Sequence, residues 1–480
     1  MQMLSTETHN HSHALNRFAV IPTIERLDAD TQFTGKGITI AFLDSGFHPH
    51  PDLTLPSNRI IAFHDVTGDE AALDPSRHVE AWHWHGTQTT VAAAGNGHLS
   101  NGTYRGVANE AQLVLVKVSK QGRVADDSIA KGLKWVIANR ERYNIRVLNM
   151  SLGGDEDVPC SQSEIDQLAE GAMRLGIVVV VAAGNSAERA PIPPANAPGV
   201  ITVGGYHDGN RAAGKLDLYH SSFGTTADGS VKPELIAPAM WVAAPILPNT
   251  KDYQRAEALS QIARAPDYEL PKIIKTVGQK AGFPEALDTD NAGAIRHAAE
   301  SLLDDYKIVA THYQHVDGTS FAAPIVASVV AQMLEANPTL SPALVKNILI
   351  STADRIAGHA AIRQGYGVIN ARRALQVAQQ EMHEGDDNRF VPPRIVADRV
   401  VFSFHSHEAE GVTLSGDFNG WNGTPFKKEA NGFWSAAVSV PAAGRYGYKF
   451  VVDGRWLEDP TNVVKIEDGF GGLNSVLHVA

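Results

Sequence analysis

Four polar side chains each stand at the end of an apolar run or the start of a small-residue run. They are Asp44 in "AFLDSGFHPHPDL", His85 in "HWHGTQTTVAAAG", Asn185 in "VVVAAGNSA" and Ser320 in "GTSFAAP". A carboxylate, an imidazole, an amide and a hydroxyl are the groups with which proteins move protons, attack carbonyls and hold developing negative charge. Singly, each has an ordinary reading. Asp44-Ser45-Gly46 is common turn chemistry, as is Asn185-Ser186. His85 lies close to His78 and His83, but the three lack the i, i+4 spacing of helical metal ligands, so no metal is assigned to them. Around Ser320, Phe321, Ala322 and Ala323 suit a closely packed helix, and Pro324 has no N–H to offer the carbonyl four residues back. With the serine at or next to the N-cap, the N–H groups there face outward, ready for negative charge.

The segments carrying these residues alternate between two patterns. "GITIAFLD", "QLVLVKV", "RVLNMS", "IVVVVAAGN" and "VITVGG" are nearly continuous apolar runs, the mark of strands buried on both faces. Between them, residues 127–142 and 161–175 show apolar positions at three- and four-residue spacing. The expected fold class is α/β, a parallel sheet with helices on both faces. In such folds chemistry gathers beyond the carboxyl ends of the strands, where Asp44 and Asn185 stand.

Taken together, the four residues in the order Asp, His, Asn, Ser resemble the subtilisin-like serine protease family. The likeness also takes in "QFTGKGITIAFLDSG", "NMSLGG", "PANAPGVITVGG", "SSFG", "KPELIAPA" and "GYGVINARRAL". It implies a subtilisin-like domain over residues 1–378, in which His85 is general base and acid to Ser320, Asp44 orients the imidazole, and Asn185 with the Ser320 N–H binds the oxyanion. It further implies that Lys120-Gln121-Gly122 and Ser151-Leu152-Gly153-Gly154 flank an extended peptide, so the substrate is protein or peptide. Three departures bear on geometry. Thr89-Thr90-Val91 replace the family's "VAG", Ala239 replaces a glycine, and the stretch from Asn185 to "PPAN" is short, so no P1 preference is assigned. "AVIPTI" at 19–24 resembles both the start of mature subtilisins and the inhibitory extension of intracellular ones; simple docking is expected.

Between Ala239 and Gly318 the chain is far longer than the family needs, and residues 252–264, 267–282 and 290–305 read as helices, the last with Ile295, Ala298, Ala299 and Leu302 on one face. This insertion, at about 249–306, is expected to be a surface decoration, with a lid or dimer contact as the alternative. After a polar linker at 379–393, residues 394–480 read as a small antiparallel β-sandwich. "LSGDFNGW", "YGYKFVVDGRWLEDP" and "LNSVLHV" resemble the glycogen-binding module of AMP-activated kinase β subunits. That resemblance implies α-glucan as a partner, with Trp421 and Trp456 stacking on glucose rings and Lys449 and Asn474 bonding hydroxyls. Phe418, Phe433 and Trp434 are expected to fill the core.

Composition narrows the remainder. A formal charge of −12 without any Lys/Arg-rich run argues against a nucleic-acid partner. Cys160 is the only cysteine, which rules out an internal disulfide and a cysteine-based zinc site. The start lacks the apolar run of a secretory signal, and no later stretch reads as long and apolar enough to span a bilayer, so the expected location is cytoplasmic without a membrane partner. His9, His11 and His13 are read as a ragged tail. No cofactor is required. Calcium, held by many relatives, would fall on Asp155-Glu156-Asp157 or Asp386-Asp387, but both clusters read as exposed charge, and no metal ligand is assigned. Two function classes stand: an active serine endopeptidase, and a catalytically silent glucan-binding or protein-interaction scaffold.

Overall fold

The computed structural model describes residues 19–69, 72–74, 79–212, 214–284, 290–381, 391–430 and 432–479. Seven parallel strands form its centre: β1 (Thr39–Asp44), β2 (Ile60–Asp65), β3 (Gln112–Lys117), β4 (Ile145–Met150), β5 (Val178–Ala182), β6 (Ile201–His207) and β7 (Leu235–Pro238). They are ordered β7-β6-β5-β4-β1-β3-β2, and Asp217–Leu218 adds antiparallel to β6. Side-chain alternation explains the unbroken apolar runs. Ile40 and Phe42 of β1 point into one core while Ala41 and Leu43 point into another.

Helices α1 (His83–Ala94) and α7 (Thr319–Ala336) pack in the first core; α2 (Asp126–Asn139) and α3 (Glu164–Arg174) cover the opposite face. The expectation of helices on both faces therefore holds. Helix α7 also corrects the reading that no stretch is long and apolar enough to span a bilayer: by length and composition it is, with a mean hydropathy of 1.3. Here it is a core helix, buried from Phe321 to Leu334.

The insertion folds as three helices, α4 (Lys251–Arg264), α5 (Leu270–Ala281) and α6 (Ala292–Asp305), close to the expected ranges. They enclose a core of their own containing Leu259, Ile262, Ile274 and Ile295. The inward face of α6 is Ile295, Ala299 and Leu303, while Ala298 and Leu302 are only half-buried. The face is thus rotated from the expected one, because helical side chains lean toward the N-terminus and a 3.6-residue turn drifts across a short pattern. The chain enters and leaves this unit through a small antiparallel sheet, β8 (Val242–Pro245), β9 (Ile308–Ala310) and β10 (Tyr313–Val316). The last of these delivers the chain to Gly318.

Residues 19–26 dock on the body as expected. Ile21 N–H donates to Asn210 Oδ1 at 2.9 Å, Arg26 donates to the Met240 carbonyl at 2.7 Å, and Val20 packs with Val309 and Tyr313. After α8 (Pro342–Thr352) and α9 (Ala371–Gln380), the chain passes to the sandwich. This comprises β11 (Arg399–His405), β12 (Val412–Gly416), β13 (Phe433–Ser439), β14 (Gly444–Val452) and β15 (Leu473–Val479), with shorter strands at its edges. Trp434 is buried in its core, whereas Phe418 and Phe433 are only partly so.

The candidate active site and the exposed tryptophans of the sandwich

Asp44 is the last residue of β1 and is almost wholly buried. Its Oδ1 accepts from Ser45 N–H at 2.7 Å and lies 2.7 Å from His85 Nδ1, so the carboxylate fixes the imidazole's tautomer with Nδ1 protonated and Nε2 free. Gly86 follows the histidine because a Cβ there would stand 2.3 Å from the Gly46 carbonyl oxygen; only glycine lets α1 approach the β1 turn this closely. Burial alone depresses the His85 pKa, but the charge and hydrogen bond of Asp44 reverse this and hold it above the ordinary histidine value.

One of the sequence's departures is accommodated: Val91, at the glycine position of the family's "VAG", is 1% exposed and packs in the first core. Thr89 stands in place of the valine with no added bulk, and its hydroxyl lies 3.0 Å from the Gly86 carbonyl oxygen and 3.2 Å from Asp44 Oδ2, within reach of the buried carboxylate. The only sequence signal was that Thr89 lies one helical turn beyond His85, on the side facing the strand end. Ala239, the second departure, fits against Gly205, where a Cβ would stand 2.3 Å from its own methyl. Its carbonyl accepts from Gly318 N–H at 2.7 Å, anchoring the approach to the serine.

Ser320 is the second residue of α7, where N–H groups lack intrahelical acceptors. Pro324 leaves the Ser320 carbonyl without its helical donor, and Ser151 Oγ–H fills that place at 2.8 Å. The Ser320 hydroxyl lies 3.5 Å from the Ser151 carbonyl oxygen, at the limit of a hydrogen bond, and makes none to His85. The residue after the serine, Phe321, faces the imidazole, the two ring centroids 6.1 Å apart.

Asn185 reaches the same helix start. Its Oδ1 accepts from Thr319 N–H at 2.9 Å and from Thr319 Oγ1–H at 3.0 Å, while Thr319 Oγ1 accepts from Gly184 N–H at 3.1 Å. Both bonds occupy the amide's oxygen, leaving Nδ2 as the donor for an outside acceptor. Nδ2 lies near Gly318, whose φ of +135° suits glycine. Thr319, buried and absent from the sequence-based site, is the clamp that orients this amide.

A cavity of about 460 Å³ is lined by Asp44, His85, Gln121, Gly122, Ser151 and Leu152. It joins the imidazole to both segments expected to flank a peptide. Lys120, Gln121 and Gly122 form the tip of a hairpin, Ser119–Lys120 against Arg123–Val124, with Gln121 and Gly122 both at positive φ. Gly154 N–H is held by the Pro193 carbonyl at 2.7 Å, whereas Gly153 is exposed. A second cavity, about 400 Å³, is lined by Trp84, Phe321, Arg255, Tyr306, Lys307 and Asp317. Trp84 lines both, so the insertion walls the space immediately past the histidine.

On the sandwich, Trp421 and Trp456 are 38% and 53% exposed, with ring centroids 6.2 Å apart and planes at 47°. Trp421 Nε1–H donates to Asp417 Oδ1 at 3.0 Å, and Asp417 Oδ2 accepts from Gly447 N–H beside Asn474. Lys449 is paired with Asp468 at 2.6 Å, a partner the sequence reading missed. The same loop carries Phe470, 96% exposed between two glycines, which it also missed. Asp155, Glu156 and Asp157 are exposed as expected, while His9, His11, His13, His78, Asp386 and Asp387 lie outside the described residues.

Comparison with known proteins matches residues 35–368 to the subtilase family. The chain belongs to that family. Serine protease AprX of Bacillus subtilis (strain 168) is 31% identical to this subtilase over 353 residues, 71% of the chain and 67% of that relative. The major intracellular serine protease of the same organism is 34% identical over 157 residues, 32% of the chain and 44% of the relative. Subtilisin BL of Lederbergia lenta is 34% identical over 183 residues, 38% of the chain and 60% of the relative. The subtilase thus spans two thirds of the first of these relatives and less of the other two. Among solved structures, fervidolysin from Fervidobacterium pennivorans, a keratinolytic enzyme related to subtilisin, superposes with a TM-score of 0.51 at 21% identity, over 89% of this chain and 55% of that one, and shares the fold. Residues 399–480 match the glycogen recognition site of AMP-activated protein kinase.

Proposed function

We propose that the protein is an active serine endopeptidase whose sandwich binds α-glucan. The observation that carries the first part is the buried Asp44 carboxylate 2.7 Å from His85 Nδ1, in the cavity that also contains both peptide-flanking segments. Ser320 Oγ turns from the Ser151 carbonyl toward His85 when substrate enters, in keeping with catalytic hydrogen bonds that tighten only in the complex. The hydroxyl attacks the scissile carbonyl as Nε2 takes its proton. Asn185 Nδ2 and the Ser320 N–H bond the oxyanion, and Nε2–H returns the proton to the leaving amine. Water then hydrolyses the acyl-enzyme by the same steps, with His85 again as base. Hydrolysis of a denatured protein substrate tests this: the native chain cleaves it, while Ser320→Ala and Asp44→Asn each lose activity. A native chain that cleaves no protein or peptide leaves the silent-scaffold reading in its place.

The glucan part rests on two exposed indoles, flat apolar surfaces suited to sugar faces, beside the polar groups Asp417, Asn474 and Lys449. The sandwich packs directly on the catalytic domain, through Arg355–Glu458 at 3.0 Å and Ala361 N–H to the Gly471 carbonyl at 3.0 Å. Glucan binding therefore places the peptidase at a polymer surface, and no metal or cofactor enters the reaction.

A further inference from the structure

Where α9 ends and the sandwich begins, three side chains converge that the peptidase chemistry does not use. Glu381 Oε1 lies 3.2 Å from His405 Nδ1, and Glu381 Oε2 lies 3.1 Å from His407 Nε2. The ligand atoms of the three residues all fall within 4.8 Å of one another. Glu381 and His405 are nearly buried, while His407 retains partial exposure.

Each group is held by its own local structure. Glu381 caps α9, its N–H bonded to the Val377 carbonyl and its own carbonyl taken by Asn337 Nδ2 at 2.6 Å. His405 ends β11 opposite Phe433, and its ring meets the Phe433 ring edge to face at 4.6 Å. The imidazoles of His405 and His407 are 5.2 Å apart at 88°, and His407 rests on Gly432, where a Cβ would stand 3.0 Å from the ring. The same three residues line a cavity of about 290 Å³, which gives an ion and its water a way in. Arginines on that cavity face other carboxylates: Arg355 pairs with Glu458, Arg373 with Asp354, and the exposed Arg455 lies 3.7 Å from Asp354.

We propose that Glu381, His405 and His407 bind one zinc-class divalent cation that braces the sandwich against the catalytic domain. The donor set argues for that class. Imidazole nitrogen and carboxylate oxygen bind zinc at about 2.0–2.2 Å, so tetrahedral neighbours sit roughly 3.4 Å apart; one ligand atom from each of the three residues lies within 4.8 Å of the others, a spacing that a small rotation of the side chains closes onto an ion. Two imidazoles and one carboxylate leave a coordination position for water from the cavity. Calcium, which wants six to eight oxygens, does not suit this set. Because Glu381 and His405 lie on opposite sides of the connection between domains, a bound ion closes that loop and stabilises the junction.

The test uses the full-length chain carrying Ser320→Ala, so that self-digestion does not intervene. After equilibration with zinc chloride and gel filtration, metal analysis is expected to find about one zinc per chain, and thermal unfolding to rise above that of the EDTA-treated protein. Adding His407→Ala is expected to weaken zinc binding by more than the roughly 10–100-fold typical of an outer-shell change, and to abolish the thermal shift. Replacing His9, His11 and His13 with alanine is expected to leave both readouts unchanged. Calorimetric zinc titration of the unsubstituted junction provides a readout that needs no variant. Absence of zinc binding, or binding that survives His407→Ala, or binding lost with the tail histidines, overturns the proposal and leaves a hydrogen-bonded Glu–His cluster.

Discussion

Removing the Thr319 hydroxyl loosens the clamp on Asn185. Thr319→Val keeps the N–H that bonds Asn185 Oδ1 and keeps the shape of a fully buried side chain, but deletes the Oγ1 bond to Asn185 at 3.0 Å together with the acceptor of the neighbouring Gly184 N–H. A neutral hydrogen bond contributes about 0.5–1.5 kcal/mol, so amide orientations that turn Nδ2 away become about 2- to 13-fold more populated relative to the productive one. Deleting the donor outright in Asn185→Ala is expected to cost about 2.7–4 kcal/mol of barrier, the loss known for such a donor in this family. The assay is steady-state cleavage of a chromogenic peptide. Thr319→Val is predicted to lower kcat and kcat/KM together by up to about 13-fold. Thr319→Ser restores most of the rate. In the Asn185→Ala background, Thr319→Val is predicted to cost nothing further in kcat, because the group it positions is gone. Full additivity of the two substitutions refutes the clamp, as does a change confined to KM.

Catalysis needs neutral His85, whose pKa stands above the ordinary value of 6.5, so kcat/KM is expected to rise with pH through a midpoint above 6.5. Asp44→Asn, which removes the charge raising that pKa, moves the midpoint to lower pH while cutting the rate. Linkage has the matching sign: the pair's stabilisation is complete below the unfolded histidine pKa and is lost as pH rises through the folded one, which chemical denaturation of Ser320→Ala across pH 6–9 would read. Replacing residues 249–306 with a short linker removes one wall of the 400 Å³ cavity beside Trp84. It is expected to change cleavage of substrates that extend past the scissile bond more than cleavage of short chromogenic peptides, and equal effects on both return the insertion to decoration. Trp456→Ala and Trp421→Ala are each expected to weaken retardation of the full chain in glycogen-containing gels, by about 2 kcal/mol or roughly 30-fold in affinity if each indole is an anchor.

Much of the fold was legible because parallel strands buried on both faces read as unbroken runs, and all five runs quoted from the sequence became strands. Edge strand β2 escaped: its "IIAFHD" is half-buried along most of its length and ends in polar residues, so it carries no such run. Asp44, His85, Asn185 and Ser320 could be found because each is embedded in a local pattern of small or apolar neighbours. Thr89 and Thr319 could not, since a threonine's role as a donor depends on a partner 45 or 134 residues away in the chain. Lys449 shows the converse. Its type was recognised, but its engagement with Asp468 depends on a loop that folds back across the sheet. Glu381 and the two histidines were invisible for the same reason, being brought together only when the sandwich docks.

Proteolysis by this chain requires Ser320 to be a nucleophile activated by His85. Fluorophosphonate labelling of the native chain, followed by peptide mass mapping, reads this directly. The prediction is a single adduct on Ser320, formed quickly in the native chain, slowly in Asp44→Asn and not at all in His85→Ala. No adduct on the native chain, or an adduct whose rate is indifferent to His85, contradicts it.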